Sequence, residues 1–188
     1  MSARKLVARP LTPARWRDLV ALFGENGACG GCWCMFFHKT GREYKAARGA
    51  KNRRALQRRV RAGVVPGLIG YVAGVPAAWI AVEPRSSYQR LMRSRKLRPA
   101  EREPVWSLPC FFVHRDFRGQ GLNLPMLRAA MEYARRRGAK LLEGYPVDLR
   151  ARTAAAFAYH GVASTFVQAG FAEVARNAPT RPLMRCEL

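Results

Sequence analysis

Arg118-Gly119-Gln120-Gly121 lies between an uncharged run ending at Val113 and a helix-period pattern starting near Leu124. Glycine has no Cβ, so the backbone can come close to a ligand, and the first amides of the following helix have no intrahelical acceptor. Such a helix start attracts anions, and the turn is of a size to hold a phosphate group. The chemistry it offers is a grip on a phosphorylated cofactor. A second constellation is Cys29-x2-Cys32-x-Cys34-x3-His38, four groups able to ligate zinc within ten residues. Its spacing is not that of a standard zinc pair, and its filling (Trp33, Met35, Phe36, Phe37) suits a core or a pocket wall. The expectation is packing or substrate lining by Cys32, Trp33 and Cys34, with no metal. Glu143 stands between Leu142 and Gly144 in an apolar segment. A carboxylate there needs a partner, such as one of the many arginines, or a task. Cys110 is read as a small buried residue, not an acyl carrier.

Length and composition bound the rest. A chain of 188 residues with 49% hydrophobic content can bury a sizeable core and is expected to form one domain over 1–188. The formal charge is +22, and 28 of the 34 basic residues are Arg, the side chain suited to bidentate grips on phosphate or carboxylate. A nucleic-acid partner is therefore conceivable. It is not favoured, because no basic motif with aromatics at a base-reading spacing occurs, and solvated charge is the simpler reading. The first ten residues contain no apolar core of signal-peptide length. Five cysteines, an odd number with three crowded together, suit a reducing cytoplasm. The charge-free stretch Val64 to Val82 is long enough to pass for a membrane span, but Pro66, Gly67, Gly70, Gly74 and Pro76 interrupt it. Two strands joined by a turn are expected there, with no membrane association.

Taken in order, the elements that must position these residues are a strand over Leu6 to Leu11, then a helix with Thr12 as cap, Pro13 at its first position, and Trp16, Leu19, Val20 and Phe23 on one face. Gly31 to His38 reads as a strand or a pocket wall, and Gly41 to Gly63 as one helix with arginines crowded toward its end. Strands are expected over Leu68–Val72 and Ala77–Val82, then a polar surface segment from Ser86 to Glu103. Val105 to Val113 reads as a strand covered on both faces, interrupted at Pro109. The next helix sets Leu124, Leu127, Met131 and Ala134 on one face and ends at Gly138. A strand over Leu141–Pro146, a helix within Thr153–Gly170 and two closing strands complete a β-α-α-β-β-β-α-β-α-β-β order.

This order and these motifs resemble the GNAT superfamily of acyl-CoA-dependent N-acyltransferases. The family's pyrophosphate motif is Arg or Gln, two residues, Gly, one residue, then Gly or Ala; here Arg118-Gly119-Gln120-Gly121-Leu122-Asn123 departs from it at Asn123. Val113 to Phe117 is similar to the family's strand exit, and Ala163 to Phe171 to its late helix ending in Gly-Phe. Some sequences of this kind also carry a Cys-Trp-Cys segment. The resemblance implies a single-domain α/β fold with a mixed, mostly antiparallel sheet, a splayed central strand pair and about four helices.

It also implies roles. The amides of Gln120 to Asn123 would hold the pyrophosphate of acetyl-CoA, with Arg118, Gly119, Gly121 and Leu122 shaping the grip. Phe112 and Val113 would face the pantetheine arm. The acceptor would be a primary amine of a small molecule or peptide, bound near Cys32, Trp33, Cys34, Glu83 and Tyr145 and attacking directly. Glu143 is expected as the base, with Glu83 and Asp148 as alternatives. Where the family often has a Tyr to protonate the leaving thiolate, this chain has Phe166, so the acid is sought in Tyr159 first, then His160 and Ser164. The rival is a transferase-like nucleic-acid-binding module without turnover. Monomer and homodimer both stay open.

Overall fold

The computed structural model describes residues 6–97, 104–148 and 161–188. In chain order its elements are β1 (Leu6–Pro10), α1 (Trp16–Phe23), α2 (Gly41–Ala46), α3 (Ala50–Arg61), β2 (Gly67–Val72), β3 (Val75–Ala81) and β4 (Glu83–Pro84). There follow α4 (Gln89–Arg93), β5 (Trp106–Leu108), β6 (Phe111–Val113), α5 (Asn123–Arg136), β7 (Leu141–Gly144), α6 (Ala163–Gln168), β8 (Ala172–Ala175) and β9 (Leu183–Glu187).

Two sheets result, one ordered β1-β2-β3-β6 and the other β4-β5-β7-β9-β8. All pairings are antiparallel except β5 with β7. The apolar run Val105–Val113 is what divides them. Proline has no N–H for a ladder, and at Pro109–Cys110 the run changes partner. Before it, β5 pairs with β4 and β7; after it, β6 pairs with β3. β6 thus turns away from β7, giving the mixed, mostly antiparallel and splayed architecture that the sequence implies. The Ala81 amide bonds to the Cys110 carbonyl at 2.9 Å and the His114 amide to the Ala77 carbonyl at 2.9 Å. Antiparallel alternation then aims the amides and carbonyls of Phe111 and Val113 at the opposite edge, into the splay.

Helices cover both faces. α5 buries Met126, Leu127, Ala130 and Ala134 against Leu68, Val72, Ala78 and Ile80. On the other face α1 buries Leu19, Leu22 and Phe23, and α3 buries Leu56 and Val60, around Ile69, Trp79 and Ala81. Each fully buried side chain of this size contributes about 1.5–3 kcal/mol.

Several expectations change. The stripe on α5 runs through Met126, Leu127, Ala130 and Ala134, with Met131 half-buried against the same cluster and Leu124 half-buried at the helix start. Gly41 to Gly63 is two helices, not one: the chain breaks at Ala47–Gly49, where Gly49 has φ +70°. A capping box joins Thr40 and Glu43 at the start of α2. With α4 as well, the described residues hold six α-helices instead of about four. Thr12 precedes a 3-10 turn over Pro13–Arg15 and makes no side-chain cap. Gly31 to His38 contains no strand; it is a chain of turns in which Trp33 and Cys34 have φ +46° and +55°. Val64 to Val82 gives β2, a turn at Ala73–Gly74, and β3. Among the described residues no helix is long and apolar enough to cross a membrane.

Candidate active site

The turn after β6 is built from the chain up. His114 accepts from the Asp116 amide (3.4 Å), a 3-10 turn runs over Arg115–Phe117, and Arg118 follows in extended conformation. Its Nε donates to the carbonyl of Val113 (3.3 Å), so the guanidinium lies along the open edge of β6. Gly119 and Gly121 have φ +75° and +70°, which an L side chain rarely adopts, and the space where a Cβ would stand is open at both. No side chain caps α5 and its first turn has no acid. Its third residue is Pro125, which lacks an amide. The remaining N–H groups of this turn are those a bound phosphate would meet.

Beside the turn lies a hollow of about 490 Å3, walled by Phe23, Ala28 and Phe112 and edged by Glu25, His114 and Arg118. Across Gly24-Glu25 lies a second, of about 370 Å3, between Val20, Trp33, Gly49 and Arg53. Trp33 therefore does wall a cavity, although its ring is almost wholly buried, stacked on Trp16 at 6.2 Å and covered by the Arg53 guanidinium at 5.2 Å. Phe112 packs its ring on Phe23 at 5.6 Å, while its backbone pairs with Trp79 of β3. Its contribution to the hollow is thus a side chain; on the opposite edge of β6 the Val113 carbonyl is taken by Arg118 Nε and the Phe111 carbonyl by the Cys110 thiol, so the amides of Phe111 and Val113 are the groups that face the splay.

The cysteines divide. Cys29 is exposed; Cys34 is buried and accepts from Trp79 Nε1 at 3.2 Å. Burial, then the Cys34 thiol, pushes Cys32 up to about 11. Cys110 is also pushed well above the ordinary thiol range, by its bond to Cys34 and then by burial. A thiol so raised is a poor nucleophile. Among the described residues no three or more His, Cys, Asp or Glu are arranged to hold a metal ion.

Two buried carboxylates flank β5. Glu143 is fully buried, with Oε2 3.2 Å from Arg85 and Oε1 3.0 Å from Arg185, and its Oε2 also accepts from Tyr145 (3.1 Å). Tyr145 is likewise fully buried, its hydroxyl bonded to Ser107 at 2.8 Å and contacted by Arg85. Burial first raises its ionisation far above the ordinary phenol value. Arg85 is anchored further by the carbonyls of Leu91 and Leu97 at 3.0 and 2.7 Å. Glu143 and Tyr145, expected as base and substrate wall, thus sit in a buried network joining β7, β9 and the segment after β4.

Glu83 is different. It is 4% exposed; one oxygen is held by Arg59 of α3 and the other lies 3.2 Å from Nε2 of His38. His38 Nδ1 in turn meets the Ser87 carbonyl at 2.9 Å. Sequence reasoning placed Glu83 near the substrate but weighed His38 only as a metal ligand, read Arg59 as one of a solvated row of arginines, and did not single out Tyr88, because no local spacing signals their approach.

A model of the Acetyltransferase (GNAT) family matches residues 33–161, more than half of the chain and the stretch carrying the kinked run, the glycine turn and α5. The chain belongs to the GNAT acetyltransferase family. Solved structures agree in fold. An arylalkylamine N-acetyltransferase-like 5b protein from mosquito superposes with a TM-score of 0.59 at 8% identity, over 98% of this chain and 100% of that one. A GNAT acetyltransferase from Listeria monocytogenes gives 0.57 at 14% identity, over 97% and 95%. The PaiA N-acetyltransferase of Thermoplasma acidophilum, solved with coenzyme A, gives 0.55 at 10%, over 98% and 99%. Among curated proteins none matches in sequence.

In this GNAT chain the late helix is used for packing where the family often places its acid. Phe166 is fully buried, edge-on to Phe111 at 5.9 Å and to Phe171 at 5.0 Å, and its ring occupies the space a Cβ on Gly144 would need. It wedges the end of β7 against β6 at the splay. Ser164 is exposed in the first turn of α6. Tyr159 and His160 lie outside the described residues.

Proposed function

We propose that this GNAT protein moves an acetyl group from acetyl-CoA to a primary amine of a small molecule or peptide, by direct attack of the amine on the thioester. The observation that carries the reading is the splay at Pro109–Cys110 followed by the glycine turn at an uncapped helix start. Those two features suit the two ends of coenzyme A. The amides of Gln120, Gly121, Leu122 and Asn123, with Arg118 and the freedom of Gly119, would bind the pyrophosphate. The open edge of Phe111 and Val113 would pair with the pantetheine arm. One amide near the kink would polarise the thioester oxygen as the nitrogen attacks; the C–N bond forms, the C–S bond breaks and the sulfur leaves as thiolate. Ser164, exposed on α6, and Tyr159 are the side chains proposed to protonate it.

The acceptor would enter on the α1 and α3 side, along Trp33, Cys32, Cys34 and Glu83. Five free cysteines support work in a reducing compartment, the cytoplasm. A thiol-release screen of acetyl-CoA against amino acids, polyamines, aminoglycosides and peptide N-termini tests the reading: at least one amine should release coenzyme A stoichiometrically with N-acetyl product. Absence of release with every amine class, in protein that binds coenzyme A, would refute acetyl transfer.

A further inference from the structure

The two hollows beside the glycine turn share Gly24 and Glu25 and otherwise differ in what lines them. The larger carries Phe112, His114 and Arg118, which lead from the kink toward the coenzyme turn. The smaller lies between the second half of α1 and the start of α3. At about 370 Å3 it falls within the usual size of small-molecule sites, about 300–1,000 Å3. Val20, Ala21, Trp33 and Ala50 make most of its wall apolar, and two charges stand on it, Glu25 and Arg53.

These charges are opposite in sign, yet among the described residues neither pairs with the other or with anything else of opposite charge. Arg53 is exposed, and its guanidinium lies 5.2 Å over the Trp33 ring, whose face attracts a cation and keeps the head at the wall. Its N–H donors stay open to a planar anion, which a guanidinium grips with two parallel bonds. Glu25 is exposed as well. Its lack of a partner stands out in this chain, because every other described carboxylate except Glu187 takes a hydrogen bond or an ion pair from a side chain. Two unpaired charges on one apolar-walled hollow match a ligand that carries both signs on an apolar body. The shared position of Glu25 sets its direction. An ammonium there stands at the boundary with the coenzyme hollow, and the anionic group lies toward Arg53. The net charge works the same way, since +22 repels a polyamine and attracts an acceptor that brings a carboxylate.

We propose that the smaller hollow is the acceptor subsite and that its occupant is an amino acid with an apolar side chain, its ammonium at Glu25, its carboxylate on Arg53 and its side chain against Trp33 and Val20. The inference rests on the acetyl-transfer reading and names the acceptor for it. Glu25 and Arg53 act by binding and orienting; neither makes or breaks a bond.

The test compares kcat/KM for phenylalanine and leucine with that for phenethylamine and isopentylamine, the same bodies without the carboxylate. Wild type should prefer each amino acid at least roughly tenfold, about what one charge-assisted hydrogen bond contributes. Arg53→Gln should bring the ratio close to one through KM while the thermal shift with coenzyme A persists, and Arg53→Lys, which keeps the charge, should restore part of the preference. Glu25→Gln should raise KM for amino acid and amine alike. Equal rates with and without the carboxylate in wild type, or a preference undisturbed in Arg53→Gln, would overturn the proposal. So would thiol release with polyamines or peptide N-termini and none with either amino acid. If no amine of any class releases thiol, acetyl transfer itself fails, and calorimetric titration of phenylalanine into protein saturated with coenzyme A decides the subsite alone. Wild type should then bind it at least tenfold more tightly than Arg53→Gln; no binding by wild type, or equal binding by the variant, would contradict the assignment.

Discussion

Glu143 and Glu83 are two buried carboxylates on strands that flank β5, and register places both beside Ser107. They differ in what their oxygens meet. Glu143 has an arginine on each oxygen and a tyrosine hydroxyl besides, so its charge is neutralised from two sides and nothing is left over. Glu83 has an arginine on one oxygen and the Nε2 of His38 3.2 Å from the other. The lesson is that burial alone does not describe a carboxylate; the number of cations that meet it does.

Substitutions can break this contrast. The largest effect should come from Glu143→Ala, which removes the buried carboxylate that joins Arg85 to Arg185; about 3–5 kcal/mol of stability should be lost in urea unfolding. Equal stability to wild type would mean the network is dispensable. Glu83→Gln should move the midpoint of unfolding far less than Glu143→Ala, because it keeps the size of the side chain and leaves Arg59 able to turn to solvent. A variant that unfolds as readily as the Glu143 one would erase the distinction. Gly144→Ala, which forces Phe166 from the end of β7, should cost about 1–3 kcal/mol by overpacking and loosen the splay. The smallest effect belongs to Glu43 at the start of α2. The Thr40 side chain and then its backbone hold that carboxyl below its usual 4.5. Since the folded value is the lower one, the stabilisation is present above the unfolded value and is lost as pH falls through the folded value. Thr40→Ala should therefore weaken the acid dependence of unfolding slightly, and an unchanged slope would speak against the box.

Much of the fold was legible because its signals are local. Pro109 announced the interruption that becomes the change of partner between β5 and β6, and Arg118 to Gly121 announced the turn through residue types alone. Periodicity found Leu127 and Ala134 on the buried face of α5 but left out Met126 and Ala130, which share it. The break at Gly49 was equally hidden behind a plausible helical run. The site was less readable. Glu143 lies 58 and 42 residues from the arginines that satisfy it, and no spacing rule reaches so far. His38 was masked by neighbouring cysteines that invited a metal reading, when its real partner is a carboxylate on β4.

The central claim is that the turn after β6 holds coenzyme A. Calorimetric titration of coenzyme A into wild type and Gly121→Val tests it most directly. Gly121 sits at φ +70° with open space beside it, so a β-branched side chain there should distort the turn and obstruct the phosphate together. Wild type should bind one coenzyme A per chain, and a saturating excess of about 100 times Kd should stabilise the fold by ~2.7 kcal/mol. The variant should bind at least tenfold more weakly while staying folded. No binding by wild type, or equal binding by Gly121→Val, would contradict the account.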